Sequence, residues 1–170
     1  MVSNGNMKRF KPIIADVREP PEIIKKLAEK APVETMQLPI GDYLVNNCII
    51  ERKTMKDLYN SLTDKRLWVQ LQMLVNNPDN LLPIIIIEGM APAFDIQKRG
   101  MVLGAIAAML VGWKLPIYRT FTKDETVDLI LALYSRTPKR TEDYVIQFRP
   151  TKARKLSMPD RVLYVLEGLC

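Results

Sequence analysis

The chain has 170 residues, 48% of them hydrophobic, and 25 Lys and Arg stand against 19 Asp and Glu for a formal net charge of +6. A chain of this size buries one substantial core, and its basic excess suits a polyanionic partner. It contains no histidine, which excludes Ser-His-Asp triads, Cys-His dyads, His-dependent nucleases and histidine metal sites and leaves any catalysis to carboxylates, lysines or a metal.

In chain order the pattern alternates strand and helix. Phe10 to Val17 reads as a first strand, and Pro20-Pro21-Glu22 opens an amphipathic helix through Lys30, with proline accepted in the first turn. Val33 to Leu38 reads as a second strand, Pro39 and Gly41 mark a turn, and a hairpin of Tyr43 to Val45 with Cys48 to Lys53 follows. Thr54 is placed to cap the next helix. Helical spacing runs through Leu58, Leu62, Leu67, Leu71 and Leu74, with a break expected near Thr63-Asp64 and a stop at Asn76-Asn77-Pro78. Leu82 to Ile87 is a continuous apolar run, expected as a central strand covered on both faces. A helix from Ile96 to Val111, a strand from Lys114 to Thr120 and a helix from Lys123 to Arg136 complete an α/β layer pattern with a mostly parallel sheet.

Beyond Arg136, the basic stretches around Lys139-Arg140 and Arg149 to Lys155 read as a linker, and Ser157 to Cys170 reads as a capped helix. Cys48 and Cys170 show neither zinc-site nor disulfide spacing, which suits a reducing, intracellular setting. The first ten residues lack the apolar run of a signal peptide, and Met101 to Val111 is too short to span a bilayer, so no membrane role is expected.

The chemistry concentrates at the hairpin. If Asn46-Asn47 form its turn, Val45 faces Cys48, Leu44 faces Ile49, Tyr43 faces Ile50 and Asp42 faces Glu51, with Lys53 on the face of Glu51. Opposed carboxylates about 5 Å apart destabilise a sheet unless a partner neutralises them. Mg2+ or Mn2+ would do so, held by Asp42, Glu51 and the Arg52 carbonyl with Lys53 beside it, the arrangement of a PD-(D/E)xK phosphodiesterase site. Asp16 ends the first strand, where open α/β sheets present functional groups, and Arg18 and Glu19 follow it; such acids also favour the positive end of the next helix.

Ile50-Glu51-Arg52-Lys53-Thr54-Met55-Lys56-Asp57 resembles the ERKxxxD signature of XPF-type structure-specific endonucleases. Gly41-Asp42-Tyr43 is similar to that family's GDY element, Asp16-Val17-Arg18-Glu19 to its D-x-R-E element, and Ile86-Ile87-Glu88-Gly89 to its strand ending in E-G. Asp64-Lys65-Arg66-Leu67 with Gln70 resembles D-G-R-L-x-x-Q, with Lys65 in place of the usual glycine.

The resemblance implies a restriction-endonuclease-like α/β fold over residues 7–137, with a central, mostly parallel mixed sheet flanked by helices, and a truncated or absent helix-hairpin-helix module after the linker in 138–170. It implies metal ligation by Asp42 and Glu51, with Asp16 and Glu19 as outer or second-metal carboxylates. Lys53 would orient or activate water, and Asp57 would pair with Arg52 or Lys53, although a first-turn acid has its own reason to be there. Arg18, Lys65, Arg66 and Gln70 would hold DNA phosphates. Trp68 suits packing better than base stacking.

The implied activity is Mg2+- or Mn2+-dependent cleavage of a phosphodiester at duplex to single-strand junctions such as 3′ flaps, forks and splayed arms, in DNA repair. The alternatives are a Holliday-junction-resolvase-like nuclease and a noncatalytic scaffold that binds branched DNA or dimerises. The resemblance also implies a homodimer, with small residues of Gly100 to Val111 or the apolar Leu129, Leu131, Leu133 and Tyr134 as surfaces that packing on the chain's own sheet explains equally. Some archaeal members use a sliding clamp, for which this sequence shows no clear docking motif. The setting implied is the cytoplasm or nucleoid of a prokaryote, an archaeon first, or the nucleus of a eukaryote.

Overall fold

A computed structural model describes residues 11–90 and 96–136; the expected linker and terminal helix, and Phe10, lie outside the described residues. The elements run β1 (Ile13–Asp16), α1 (Pro21–Ala28), β2 (Val33–Met36), β3 (Tyr43–Val45), β4 (Cys48–Thr54), α2 (Met55–Thr63), α3 (Arg66–Val75), β5 (Leu82–Glu88), α4 (Ile96–Val111), β6 (Ile117–Thr120) and α5 (Lys123–Ser135). The strands form one sheet in the order β2-β1-β3-β4-β5-β6. Among the described strands only β3 runs against the rest, since β1–β2, β4–β5 and β5–β6 pair parallel while β1–β3 and β3–β4 pair antiparallel.

Alternation along the strands divides the core into two layers. Ile13, Ala15, Tyr43, Ile50, Ile84 and Ile86 meet Ile23 and Leu27 of α1 and Val127 and Ile130 of α5. On the other face, Ile49, Ile85 and Ile87 meet Leu58 of α2, Leu67, Leu71 and Leu74 of α3, and Val102, Ala105 and Met109 of α4. The four consecutive isoleucines of β5 therefore feed both layers, each worth about 2–3 kcal/mol of burial. The expected position of β5 needs correction: it lies one strand from the edge, between β4 and β6, and is covered on both faces because both helical layers reach that far.

Several elements are shorter than the periodicity predicts. Helix α1 stops at Ala28, four residues before Pro32, whose ring disfavours helical backbone in the residue before it. Strand β6 begins at Ile117 rather than Lys114, since Lys114 takes a positive φ of 53° and Pro116 has no N–H for a ladder. The break between α2 and α3 falls at Lys65, which takes a left-handed φ of 59°. Thr54 caps α2 as expected, its hydroxyl accepting from the Asp57 N–H at 3.1 Å. The parallel strands thus end together, and the C-terminal ends of β1, β4 and β5 bring Asp16, Glu51 to Lys53 and Glu88 to one rim of the sheet.

Candidate active site

The hairpin register is the expected one for three rungs: Val45 with Cys48, Leu44 with Ile49 and Tyr43 with Ile50. Asn46 takes a positive φ of 53°, and its side-chain amide donates to the Leu133 and Tyr134 carbonyls near the end of α5 at 3.0 and 2.9 Å. The fourth rung differs from expectation. Asp42 donates its N–H to the Ile50 carbonyl at 2.7 Å rather than entering a pair with Glu51, and its Oδ2 accepts from the Arg52 N–H at 2.7 Å. Gly41 makes this turn possible, because it holds φ at 71° and a Cβ there would lie 2.7 Å from the Ile49 side chain.

The two carboxylates nevertheless share one cavity of about 240 Å³, lined by Arg18, Gly41, Asp42, Glu51, Gln70 and Met73 among others. Burial pushes the Asp42 carboxyl up to about 8, reinforced by the negative charges of Glu51 and Glu19 and opposed by the Arg52 N–H and the Lys53 charge. Lys53 is 8% exposed and gives two of its three ammonium donors to the protein, one to Glu51 Oε1 at 3.1 Å and one to Gln70 Oε1 at 3.0 Å. Among the described residues no group of three or more acids and cysteines clusters closely enough to cage a metal. Two hard carboxylates in an open polar cavity, one of them pushed toward its neutral form by burial and by the charge of the other, do fit a cation such as Mg2+, which typically takes one or two protein carboxylates and keeps waters or phosphate oxygens.

Asp16 reaches the same rim but serves a different purpose. Its Oδ1 accepts from the Arg18 N–H at 2.8 Å and Nε at 2.7 Å, and its Oδ2 from Arg18 Nη2 at 2.8 Å and the Leu38 N–H at 2.7 Å. Those four bonds fill the acceptor sites of a carboxylate, so Asp16 anchors Arg18 against the cavity wall instead of opening toward a cation. The Arg18 hydrogen bond holds the Asp16 carboxyl well below its usual range, with the two backbone bonds adding to it against the opposing effect of burial.

Arg52 and Glu19 lie on the far face of the sheet. Arg52 shares the face of Ile50, whereas Glu51 and Lys53 share that of Ile49. The Arg52 Nε stands 3.5 Å from Glu19 Oε2 and 3.2 Å from Glu88 Oε2. Burial raises the Glu19 carboxyl, while the Tyr43 hydroxyl, donating at 2.6 Å, and the Arg52 charge work against that. Burial and the neighbouring Glu19 also push the Tyr43 hydroxyl up, so it stays a donor.

The expected pairing of Asp57 with Arg52 or Lys53 needs correction too: its Oδ2 bonds the Thr54 hydroxyl at 2.6 Å, because an acid three residues past an N-cap serves the cap. Lys65 and Arg66 lie exposed at the α2–α3 joint, outside the cavity lining, and Arg66 pairs with Asp64 at 2.8 Å. Trp68 packs against the α2–α3–α4 core. Thr126 and Met73 escaped the sequence reading, and Tyr43 entered it only within the Gly41-Asp42-Tyr43 element; Glu19, Arg52 and Glu88, an acid ending an apolar strand, were the visible members of the buried polar cluster.

The ERCC4 domain profile matches residues 15–133, which run from the last residues of β1 into α5. The chain belongs to the ERCC4-domain family. The chain is 30% identical over 159 residues to a protein of Methanocaldococcus jannaschii described as an ATP-dependent RNA helicase, covering 92% of this chain but 19% of that protein. It is 25% identical over 174 residues to the 3′-flap repair endonuclease Xpf of Saccharolobus solfataricus, covering 92% of this chain and 68% of that one. Two solved structures of XPF from Aeropyrum pernix, one in complex with DNA, are 28% identical, cover 93% of this chain and 74% and 75% of theirs, and superpose with TM-scores of 0.65 and 0.63. The ERCC4 domain here is thus an XPF-type nuclease domain with the restriction-endonuclease-like fold.

Proposed function

We propose that this ERCC4 domain is a Mg2+- or Mn2+-dependent, structure-specific DNA endonuclease that cuts at duplex to single-strand junctions, 3′ flaps and forks foremost, in DNA repair. The observation that carries the reading is Asp42, half-buried and repelled by Glu51, opening with it onto one cavity whose wall holds Arg18 and Gln70. Asp42 and Glu51 would hold the cation with the Arg52 carbonyl, and a bound cation would supply Lewis acidity toward a phosphoryl oxygen. Lys53, its ammonium fixed by Glu51 and Gln70, keeps a third donor for charge that develops on the phosphate. Arg18 presents a guanidinium oriented by Asp16, and Lys65 and Arg66 offer exposed cations on the neighbouring joint for phosphates farther along the strand.

The names of the A. pernix and S. solfataricus proteins, one bound to DNA and the other a 3′-flap endonuclease, support the substrate class. The reading includes a homodimer through α4. Val102, Ala105 and Met109 face the core while Met101, Leu103, Leu110 and Val111 are exposed, and a Cβ at Gly100 or Gly104 would meet nothing within 4 Å. Leu129, Leu131, Leu133 and Tyr134, by contrast, pack on the chain's own α1–α5 core. Incubation of the purified chain and Mn2+ with labelled flap, fork, splayed-arm and four-way DNA tests the activity. Cutting of flaps and forks is expected; cutting of the four-way junction alone would favour a resolvase, and binding without cutting would favour a scaffold.

A further inference from the structure

A buried polar chain on the face opposite the cavity has no part in the chemistry proposed so far. Glu88 ends β5 on the face of Ile84 and Ile86, and the ladder pairs Arg52 with Ile86 and Thr54 with Glu88, so Arg52 lies diagonally across from Glu88 on the same face. The Thr126 hydroxyl of α5 donates to Glu88 Oε2 at 2.6 Å, and Thr120 of β6 stands 2.8 Å from Thr126. A hydroxyl has one proton, so Thr120 donates to Thr126 and Thr126 to Glu88. Glu88 is 6% exposed and both threonines are fully buried.

Arg52 is the other end of this chain. Its Nε is buried, lies within ion-pair distance of both Glu88 and Glu19, and makes no hydrogen bond to either. At Nε, charge rather than a hydrogen bond holds the guanidinium between the two carboxylates, so its position there follows theirs. Each carboxylate is fixed by one short hydroxyl bond, Glu19 by Tyr43 and Glu88 by Thr126, both at 2.6 Å, and Glu88 is the nearer to Arg52 Nε, at 3.2 Å against 3.5 Å. The Arg52 backbone N–H is in turn the donor that holds Asp42 Oδ2 at 2.7 Å.

We propose that Glu88, clamped by Thr126, is a positioning residue that seats Arg52 and through its backbone sets the Asp42 carboxylate, so that the packing of α5 is transmitted through the sheet to the cavity. The inference deepens the nuclease reading and rests on it for its catalytic consequence, while its structural half stands alone. Two isosteric changes test it: Glu88→Gln removes the charge opposite Arg52, and Thr126→Val removes the hydroxyl. Hydrogen exchange of the Arg52 amide, read by NMR without metal or DNA, should quicken about tenfold in each variant while amides of β1 and β2 keep their rates. Thr126→Ser, which keeps the hydroxyl, should restore the wild-type exchange. In flap cleavage kcat should fall about tenfold in Glu88→Gln and Thr126→Val with KM unchanged. Unchanged Arg52 exchange in Thr126→Val, or slowed cutting that Thr126→Ser fails to rescue, overturns the inference. A wild-type chain that cuts nothing sinks the nuclease reading alone, since the exchange result still decides the positioning role.

Discussion

Two aspartates that the sequence alone would treat alike, Asp16 and Asp42, do opposite things here, and their surroundings explain it. Asp16 is saturated with donors and stays charged, whereas the half-buried Asp42 has one backbone donor and two acidic neighbours. The Asp16 carboxyl is depressed in the folded chain, so it adds stability above its unfolded value near 4 and that contribution is lost as pH falls toward the folded value. Asp16→Asn places an amide NH2 against one of the N–H donors that Asp16 accepts from, whichever way the amide turns, and should cost about 1–3 kcal/mol at neutral pH. Urea midpoints should show a constant deficit above about pH 4 that narrows as pH is lowered toward about 2. A deficit that widens in acid would contradict the clamp.

Elements locate these residues, and their ends carry the information. The α2–α3 joint needs a left-handed residue, which is where the family pattern has glycine and this chain has Lys65. A non-glycine residue there costs about 1–2 kcal/mol of backbone energy, part of which glycine returns as lost chain entropy. Lys65→Gly should therefore raise stability by about 0.5–1 kcal/mol in a denaturation curve; a fall would mean that the Lys65 side chain holds the joint. The hairpin, the helix break and the doubly covered β5 were legible because turn chemistry and hydrophobic period are local signals. The fourth rung at Asp42 was not, because a positive φ at Gly41 bends the strand before the carboxylate. Nor was the direction of Arg52, whose partners Glu19 and Glu88 come from distant segments that only the folded sheet brings together.

At the scale of the molecule, five parallel strands gather the polar ends at one rim and leave α4 covering the other part of the sheet with an apolar outer face. Among the described residues no helix is long and apolar enough to cross a membrane. Leu103 is 56% exposed on that outer face, so Leu103→Glu removes little from the core while placing charge in the proposed dimer contact. Sedimentation should show the wild type as a dimer and Leu103→Glu as a monomer with an unaltered unfolding midpoint. A wild type that sediments as a monomer would contradict an interface on α4.

The proposed chemistry turns on Asp42 and Glu51 jointly holding a divalent cation, and Mn2+ paramagnetic resonance reads that directly. Titrated into the intact chain, Mn2+ should lose its free-ion signal on binding, and both Asp42→Asn and Glu51→Gln should abolish that loss, Asp42→Asn without destabilising the fold because it also relieves the repulsion from Glu51. Mn2+ that remains free with the wild type, or binds undiminished when either acid is neutralised, would contradict it.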